Sequence, residues 1–158
     1  MEEAMKRVIV TVAIFLILAA GTALAASPVG QWDFKGFSMP DLKPGPLQGI
    51  CFVAGITNSD GTLSGIWYST TFAGWSGQWF QNGDRIRFYG TTGSVSTAEF
   101  GQFISNTRFS GEYVHFIPPA PVATNSLGNF SMTRTGLTCD PAAASPGYSA
   151  VNSDPAVK

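Results

Sequence analysis

Few side chains in this sequence could do chemistry, and they do not form a catalytic set. His115 is the only histidine, so a metal site with two or three histidines cannot form within one chain. A serine–histidine–acid triad would have to use His115, but the Gly-x-Ser-x-Gly turn that exposes such a serine is missing. His115 also falls near the end of a predicted strand, where a rim or surface position is ordinary. The sequence therefore predicts no catalytic residue, no metal site and a protein that is not an enzyme.

Two carboxylates and one glycine-rich stretch also lack a catalytic context. Glu99 and Glu112 lie on neighbouring predicted strands, as paired acid–base residues would. Alternation along the first of these strands places Phe100 and Gln102 inward, and therefore places Glu99 in solvent. The stretch 90–94 has neither the helix nor the lysine of a phosphate-binding loop. It is predicted to be a turn, and no cofactor is expected.

The charge of the chain excludes one class of partner. Nine basic and ten acidic residues give a formal net charge of −1, and nucleic-acid binding needs a basic face. Arg85 and Arg87, on one face of a predicted strand, come nearest to a basic patch. We interpret them as solvent-facing strand arginines.

Residues 1–25 have the pattern of a secretory signal peptide. Lys6 and Arg7 precede an apolar run over residues 8–20, and Ala23-Leu24-Ala25 follows as a cleavage site. The run is shorter than the roughly 20 residues that a membrane-spanning helix needs. We therefore expect cleavage after Ala25 and a secreted or periplasmic product that is not inserted in a membrane.

The sequence contains two cysteines, Cys51 and Cys139, and both lie in the exported part. An oxidising compartment favours one disulfide between them. In a simple meander, however, these residues lie at opposite ends of the sheet. The chain after Thr135 must then double back to bring the two Cα atoms within about 7 Å.

Residues 50–117 consist of short apolar and aromatic runs separated by turn sequences, with no helical period. Asp60-Gly61 and Asn82-Gly83 supply the positive φ of tight hairpin turns, and Ser105-Asn106 marks a third turn. These turns divide the stretch into six strands, predicted at 50–57, 63–70, 75–81, 84–90, 97–104 and 108–117.

Two further strands flank this meander, one around Trp32 and one around Phe130, each with strict alternation. Between the first strand and the meander, segment 37–49 contains three prolines and is predicted to be a long irregular loop. The chain after residue 136 is rich in Ala, Pro and Ser. We expect a single domain over 28–136 and a disordered tail over 137–158.

The predicted fold is all-β, an eight-stranded antiparallel up-and-down barrel. Eight strands enclose an interior that side chains can fill or that can hold one small ligand. Glycines recur in the middle of successive strands, where they permit the bulges and coiling that closure needs. Closure requires the first strand to pair with the last.

Gly30-Gln31-Trp32 at the start of such a meander, with Arg134 at the end of the last strand, resembles the calycin superfamily of lipocalins, fatty-acid-binding proteins and avidins. In lipocalins the tryptophan of this motif plugs the closed end of the barrel, and an arginine packs across its ring. The resemblance thus implies structural roles for Trp32 and Arg134 through a cation–π contact. The ligand-contacting polar residues of avidins cannot be placed in this sequence, so no biotin site is implied.

The strand aromatics support two hypotheses of function. In the first, the chain is a non-enzymatic lipocalin-like protein that binds a small apolar or aromatic ligand in an aromatic pocket. The candidate ligand-contacting residues are Trp67, Trp75, Trp79, Phe88, Phe100, Gln102 and Tyr113. In the second, aromatics fill the barrel, and the apolar loops 37–49 and 118–127 contact another exported macromolecule. A small hydrolase or isomerase that uses His115 is a less favoured third reading.

Overall fold

The computed structural model describes residues 26–92, 95–116 and 126–144. Within them the chain forms nine strands: β1 Gly30–Ser38, β2 Lys43–Phe52, β3 Ile56–Thr57, β4 Leu63–Ser69, β5 Ser76–Asn82, β6 Arg85–Thr92, β7 Val95–Ser105, β8 Arg108–Phe116 and β9 Ser126–Arg134. A short 3-10 helix follows at Pro141–Ala143. None of the helical structure in this part of the chain is long and apolar enough to cross a membrane. The predicted signal peptide and residues 145–158 of the predicted tail lie outside the described residues.

Eight of the strands close into an antiparallel up-and-down barrel. Consecutive strands from β4 to β9 pair with each other, β9 pairs with β1, β1 with β2, and β2 with β4. The two-residue β3 pairs with the start of β4. Trp32 lies opposite Arg134 and Phe34 lies opposite Met132, so the predicted closure of the first strand on the last is confirmed. We call the end of the barrel that holds Trp32 the lower end and the opposite one the upper end.

The prediction of a long irregular loop over 37–49 is wrong. β1 continues to Ser38 and β2 begins at Lys43, so the connection is a short turn. Pro44 and Pro46 lie in the first part of β2, which pairs with β1, whereas β2 meets β4 only through its last residues, from Ile50 onward. A strand with one unpaired edge tolerates proline, because that edge needs no N–H donor.

Aromatic rings fill the lower and middle parts of the barrel. The largest fully buried side chains include Trp32, Phe52, Trp67, Trp79, Phe88 and Phe109. The ring centroids of Trp32 and Phe109 are 4.8 Å apart, and those of Phe52 and Phe88 are 5.2 Å apart, both edge to face. This geometry is favourable for aromatic pairs. The region is therefore a packed core.

Inward-facing glycines give these rings their space. A Cβ atom on Gly65 would lie 2.6 Å from the indole nitrogen of Trp79, and one on Gly90 would lie 2.7 Å from the ring of Trp67. Real Cβ atoms do not approach other atoms so closely. Glycine at these two positions is therefore needed to accommodate the aromatic core.

Trp32 closes the lower end of the barrel, and the contact that the calycin resemblance implied is present. The guanidinium carbon of Arg134 lies 4.4 Å from the centroid of the Trp32 ring. The indole Nε1 donates a hydrogen bond to the carbonyl oxygen of Pro28 at 2.6 Å. The guanidinium group also donates to the carbonyl oxygens of Val29 and Ser27. Arg134 thus fastens the entering chain to the last strand.

A disulfide joins Cys51 to Cys139, with a Cα–Cα distance of 5.6 Å. The predicted pairing is confirmed. The chain doubles back after β9, and the backbone carbonyl of Asp140 accepts a hydrogen bond from the hydroxyl of Tyr68 at 3.0 Å. The described structure therefore extends beyond the predicted domain boundary to include residues 137–144.

Candidate functional site

The upper end of the barrel holds four inward-facing side chains with polar groups. β7 directs Thr97 and Glu99 inward, and β8 directs Tyr113 and His115 inward. Thr97 lies directly opposite His115, and Glu99 lies directly opposite Tyr113. Side chains paired in this way on one face of adjacent strands are direct neighbours. We call these four residues the upper site.

The predicted inward face of β7 is wrong. Phe100 is 58% exposed and Gln102 is exposed on the outer surface, whereas Glu99, predicted to lie in solvent, is 4% exposed. Both faces of this strand carry apolar residues, so alternation along the strand alone does not determine its orientation. The pairing with β8 does, because it places Glu99 against the buried Tyr113.

The carboxyl group of Glu99 is the most unusual group in the upper site. Its Oε1 atom accepts a hydrogen bond from the hydroxyl of Thr97, and its buried Oε2 atom has no hydrogen-bond partner within the described ranges. Burial raises the pKa of Glu99 to about 8, and the hydrogen bond from Thr97 opposes this shift only partly. At neutral pH the carboxyl is therefore mostly protonated and can donate a hydrogen bond.

His115 lies beside this carboxyl at the rim. Its Nε2 atom is 3.9 Å from Oε1 of Glu99, and its side chain is 33% exposed. The imidazole centroid lies 5.5 Å from the ring of Trp75 and 4.8 Å from the ring of Tyr113. Burial lowers the pKa of His115. A protonated carboxyl and a neutral imidazole thus lie side by side, with these two atoms beyond hydrogen-bond distance.

Tyr113 forms a fixed wall of the upper site. Its hydroxyl shares a 3.0 Å hydrogen bond with the hydroxyl of Ser38. A Cβ atom on Gly128 would lie 2.5 Å from the Tyr113 ring, and one on Gly36 would lie 3.3 Å from it. The position of the Tyr113 ring therefore requires glycine at these two sites on β9 and β1. Packing against the ring and the hydrogen bond with Ser38 together fix its orientation.

The structure separates the predicted ligand-contacting residues into three places. Trp67, Trp79 and Phe88 lie within the packed core. Trp75 and Tyr113 lie at the upper end of the same cluster. Phe100 and Gln102 lie on the outer face of the barrel.

Sequence reasoning missed Glu99 and Thr97 as members of the site. The sequence did contain one indication of the site. Thr97-x-Glu99 on one strand pairs with Tyr113-x-His115 on the next. Nowhere in the described part of the chain do three or more His, Cys, Asp or Glu side chains come close enough to hold a metal ion.

A concave feature lies on the outer face of β5 to β8. This groove has a volume of about 740 Å³. Its lining includes Phe80, Arg85, Arg87, Phe100, Gln102, Ser110 and Glu112, with Asp60 and Thr62 from the turn before β4. The guanidinium of Arg87 lies 5.1 Å from the centroid of the Phe80 ring. The groove is thus both aromatic and charged.

Comparisons with known proteins add little to the fold described above. No protein-family model matches the chain, and no curated protein matches it. Among solved structures, the chain is similar to a redesigned β barrel, with 16% sequence identity and a TM-score of 0.45, over 72% of this chain and 96% of that one. The closed eight-stranded barrel rests on the strand pairing of this chain. Its likeness to calycins remains a resemblance.

Proposed function

We propose that this chain is an exported, non-enzymatic binding protein that takes a small organic molecule at the upper end of its barrel. One observation carries the proposal, namely the buried Oε2 atom of Glu99, which has no hydrogen-bond partner within the described ranges. An unsatisfied buried polar atom costs about 1–3 kcal/mol, and such atoms are uncommon in folded proteins. A ligand that accepts a hydrogen bond from this carboxyl would remove that cost.

The chemistry of the upper site favours an uncharged ligand with an apolar or aromatic body and one hydrogen-bond acceptor. The protonated carboxyl of Glu99, with a pKa of about 8, would donate the directional hydrogen bond. The rings of Trp75 and Tyr113 would supply the apolar contact area, as in most small-molecule sites. An anionic ligand is disfavoured because its charge would lose its hydration beside an uncharged carboxyl.

The proposed site is shallower than the lipocalin-like pocket that the sequence predicted. The rings of Trp67 and Phe88 pack edge to face at 5.7 Å, and Trp79 donates its indole hydrogen bond to the carbonyl of Val53. A ligand would displace core packing if it entered this region. We therefore place it above these rings, against Glu99.

Two substitutions at Glu99 test the proposal. Uncharged aromatic ketones, phenols and nitrogen heterocycles would be screened by tryptophan fluorescence and by ligand-induced thermal stabilisation. We expect Glu99→Leu to weaken the binding of a hit about tenfold or more, because a hydrogen bond of about 1.4 kcal/mol is lost. Glu99→Gln keeps a donor and should retain most of the affinity.

The matched control is Gln102→Leu, a similar change on the outer face of the same strand, which should leave affinity unchanged. Equal affinity in the wild type and in Glu99→Leu would overturn the proposal, as would a screen without any hit.

A second candidate function is contact with another macromolecule through the upper rim. Met39 and Leu127 are 54% and 59% exposed, and they lie side by side because the Met39 N–H donates to the Leu127 carbonyl at 2.8 Å. Exposed neighbouring apolar side chains are typical of contact surfaces. Residues 118–125 of the second predicted contact loop lie outside the described residues. Substitution of Met39 and Leu127 by serine would abolish such a contact, whereas Glu99→Leu would not.

A further inference from the structure

The outer groove is built on one continuous row of side chains across four strands. Phe80 pairs with Arg87, Arg87 with Phe100, and Phe100 with Glu112. Directly opposed side chains on one face of a sheet are about 5 Å apart, so the row is about 15 Å long. It forms the floor of the 740 Å³ groove and faces away from the upper site.

Phe100 occupies the middle of this floor. Its side chain is 58% exposed, and its cross-strand neighbours on either side are Arg87 and Glu112. A large apolar ring is therefore exposed to solvent between two charged side chains. Within a concave site, such a ring offers a platform on which a flat apolar surface can stack.

Both hydrogen-bond donors and hydrogen-bond acceptors surround the Phe100 ring. Gln102 lies two residues farther along the same strand, about 7 Å away by strand geometry. Its amide nitrogen donates to Asp84 at 2.7 Å, which holds the amide in place and leaves its oxygen as an acceptor. Arg85 adds donors and Glu112 adds acceptors to the same groove.

The charges of the groove balance. Arg85 and Arg87 are matched by Asp60 and Glu112 in its lining. A strongly anionic or cationic ligand would meet like charge at one side of the groove, and a purely apolar ligand would desolvate charged groups without compensation. A neutral ligand with many hydroxyl groups satisfies donors and acceptors alike.

We propose that this outer groove binds a neutral oligosaccharide, with Phe100 stacked beneath a sugar ring and Arg85, Gln102 and Glu112 hydrogen-bonded to its hydroxyl groups. Sugar rings combine an apolar face of C–H groups with a rim of hydroxyls that both donate and accept. The groove offers the complementary combination of an apolar ring within a polar rim. This proposal is independent of the upper-site ligand, because it uses side chains on the opposite face of the sheet.

Affinity electrophoresis of the folded protein tests the inference. Native gels would contain soluble starch, dextran, hydroxyethyl cellulose or xylan, and the matching hexasaccharides would be titrated calorimetrically. We expect retardation in at least one polysaccharide. Phe100→Ala should raise the dissociation constant about tenfold, which is the upper range for an aromatic stacking contact.

Ile104→Ala is the matched control, because Ile104 is 66% exposed on the same strand but does not line the groove. It should bind as the wild type does. Circular dichroism of both variants would establish that they are folded, which their exposed positions favour.

The inference is overturned if none of the four polysaccharides retards the protein, or if Phe100→Ala binds as well as Ile104→Ala. Retention on heparin or on an extended peptide in place of neutral glycans would also overturn it. Glu99→Leu should leave glycan binding intact, so a failure of the upper-site proposal remains distinguishable.

Discussion

The Nε2 atom of His115 lies 3.9 Å from the Oε1 atom of the buried Glu99. Burial moves the pKa values of the two groups in opposite directions, upward for the carboxyl and downward for the imidazole. Both changes favour the uncharged forms. Near neutral pH the upper site therefore contains a hydrogen-bond donor on Glu99 and an uncharged ring at its rim.

The elevated pKa of Glu99 predicts that stability falls as pH rises. The folded carboxyl binds its proton up to a pH of about 8, whereas the unfolded one loses it near its ordinary pKa of 4.5. The folded state thus holds more protons between these values, and the free energy of unfolding decreases by a few kcal/mol as pH rises through this range. His115 has the opposite effect below its ordinary pKa of about 6.5, since its folded pKa is lowered.

Thermal unfolding of the wild type and Glu99→Gln, measured from pH 5 to pH 8, separates these contributions. The difference in Tm between the two proteins should move in favour of Glu99→Gln as pH rises. Parallel curves over the whole range would contradict a carboxyl that is protonated in the folded state.

Replacement of Arg134 by lysine should destabilise the lower end of the barrel. The guanidinium packs on Trp32 and donates to the carbonyls of Val29 and Asn106, and a lysine ammonium cannot reproduce this planar set of contacts. We expect a loss of about 1–3 kcal/mol in urea unfolding. Arg108→Lys, at an exposed position, is the control and should change stability by less than about 0.5 kcal/mol.

Alanine at Gly90 should be poorly tolerated. Its Cβ would lie 2.7 Å from the Trp67 ring and 2.2 Å from the backbone oxygen of Ser76. Overpacking of this kind costs about 1–3 kcal/mol or more, which urea unfolding would measure. Gly45→Ala is the control, because the nearest atom to its Cβ is 3.8 Å away. Similar stability of the two variants would argue against a tightly filled interior.

Loss of the disulfide between Cys51 and Cys139 should lower the Tm markedly. The bridge closes a sequence separation of 88 residues, and removal of a native disulfide typically costs about 2–5 kcal/mol. Reduction with dithiothreitol should lower the Tm of the wild type but not that of a double alanine variant. A wild-type Tm that is insensitive to reduction would show that the bridge contributes nothing.

The sequence was sufficient for the barrel and its closure but not for the path of β2. Turn dipeptides and alternation located most of the strands. The strand Lys43–Phe52 was missed because its first half contains prolines, which a strand tolerates where one edge is unpaired. That error also explains why the sequence placed the two cysteines at opposite ends of the sheet. β2 begins at the upper end and brings Cys51 down to the lower end, where the chain leaves β9. A strand that began at Ile50 would have placed Cys51 at the wrong end.

The upper site was less predictable than the fold. Its decisive residue, Glu99, lies on a strand whose two faces carry apolar side chains in similar number, and burying a carboxyl contradicts the ordinary preference of Glu for solvent. Only the register against β8 resolves its orientation. The residue pattern of a single strand carries no information about which residues of a neighbouring strand it pairs with.

Both ends of the described part of the chain lie away from the upper site. The carbonyl of Ala26 contacts Gln81 at the lower end, and Ala144 packs beside Cys51 and Tyr68. The described chain therefore enters at the lower pole and leaves along the outer wall near it. A fusion or immobilisation tag at either of these points would leave the rim around His115 unobstructed, which suits surface-capture measurements on this protein.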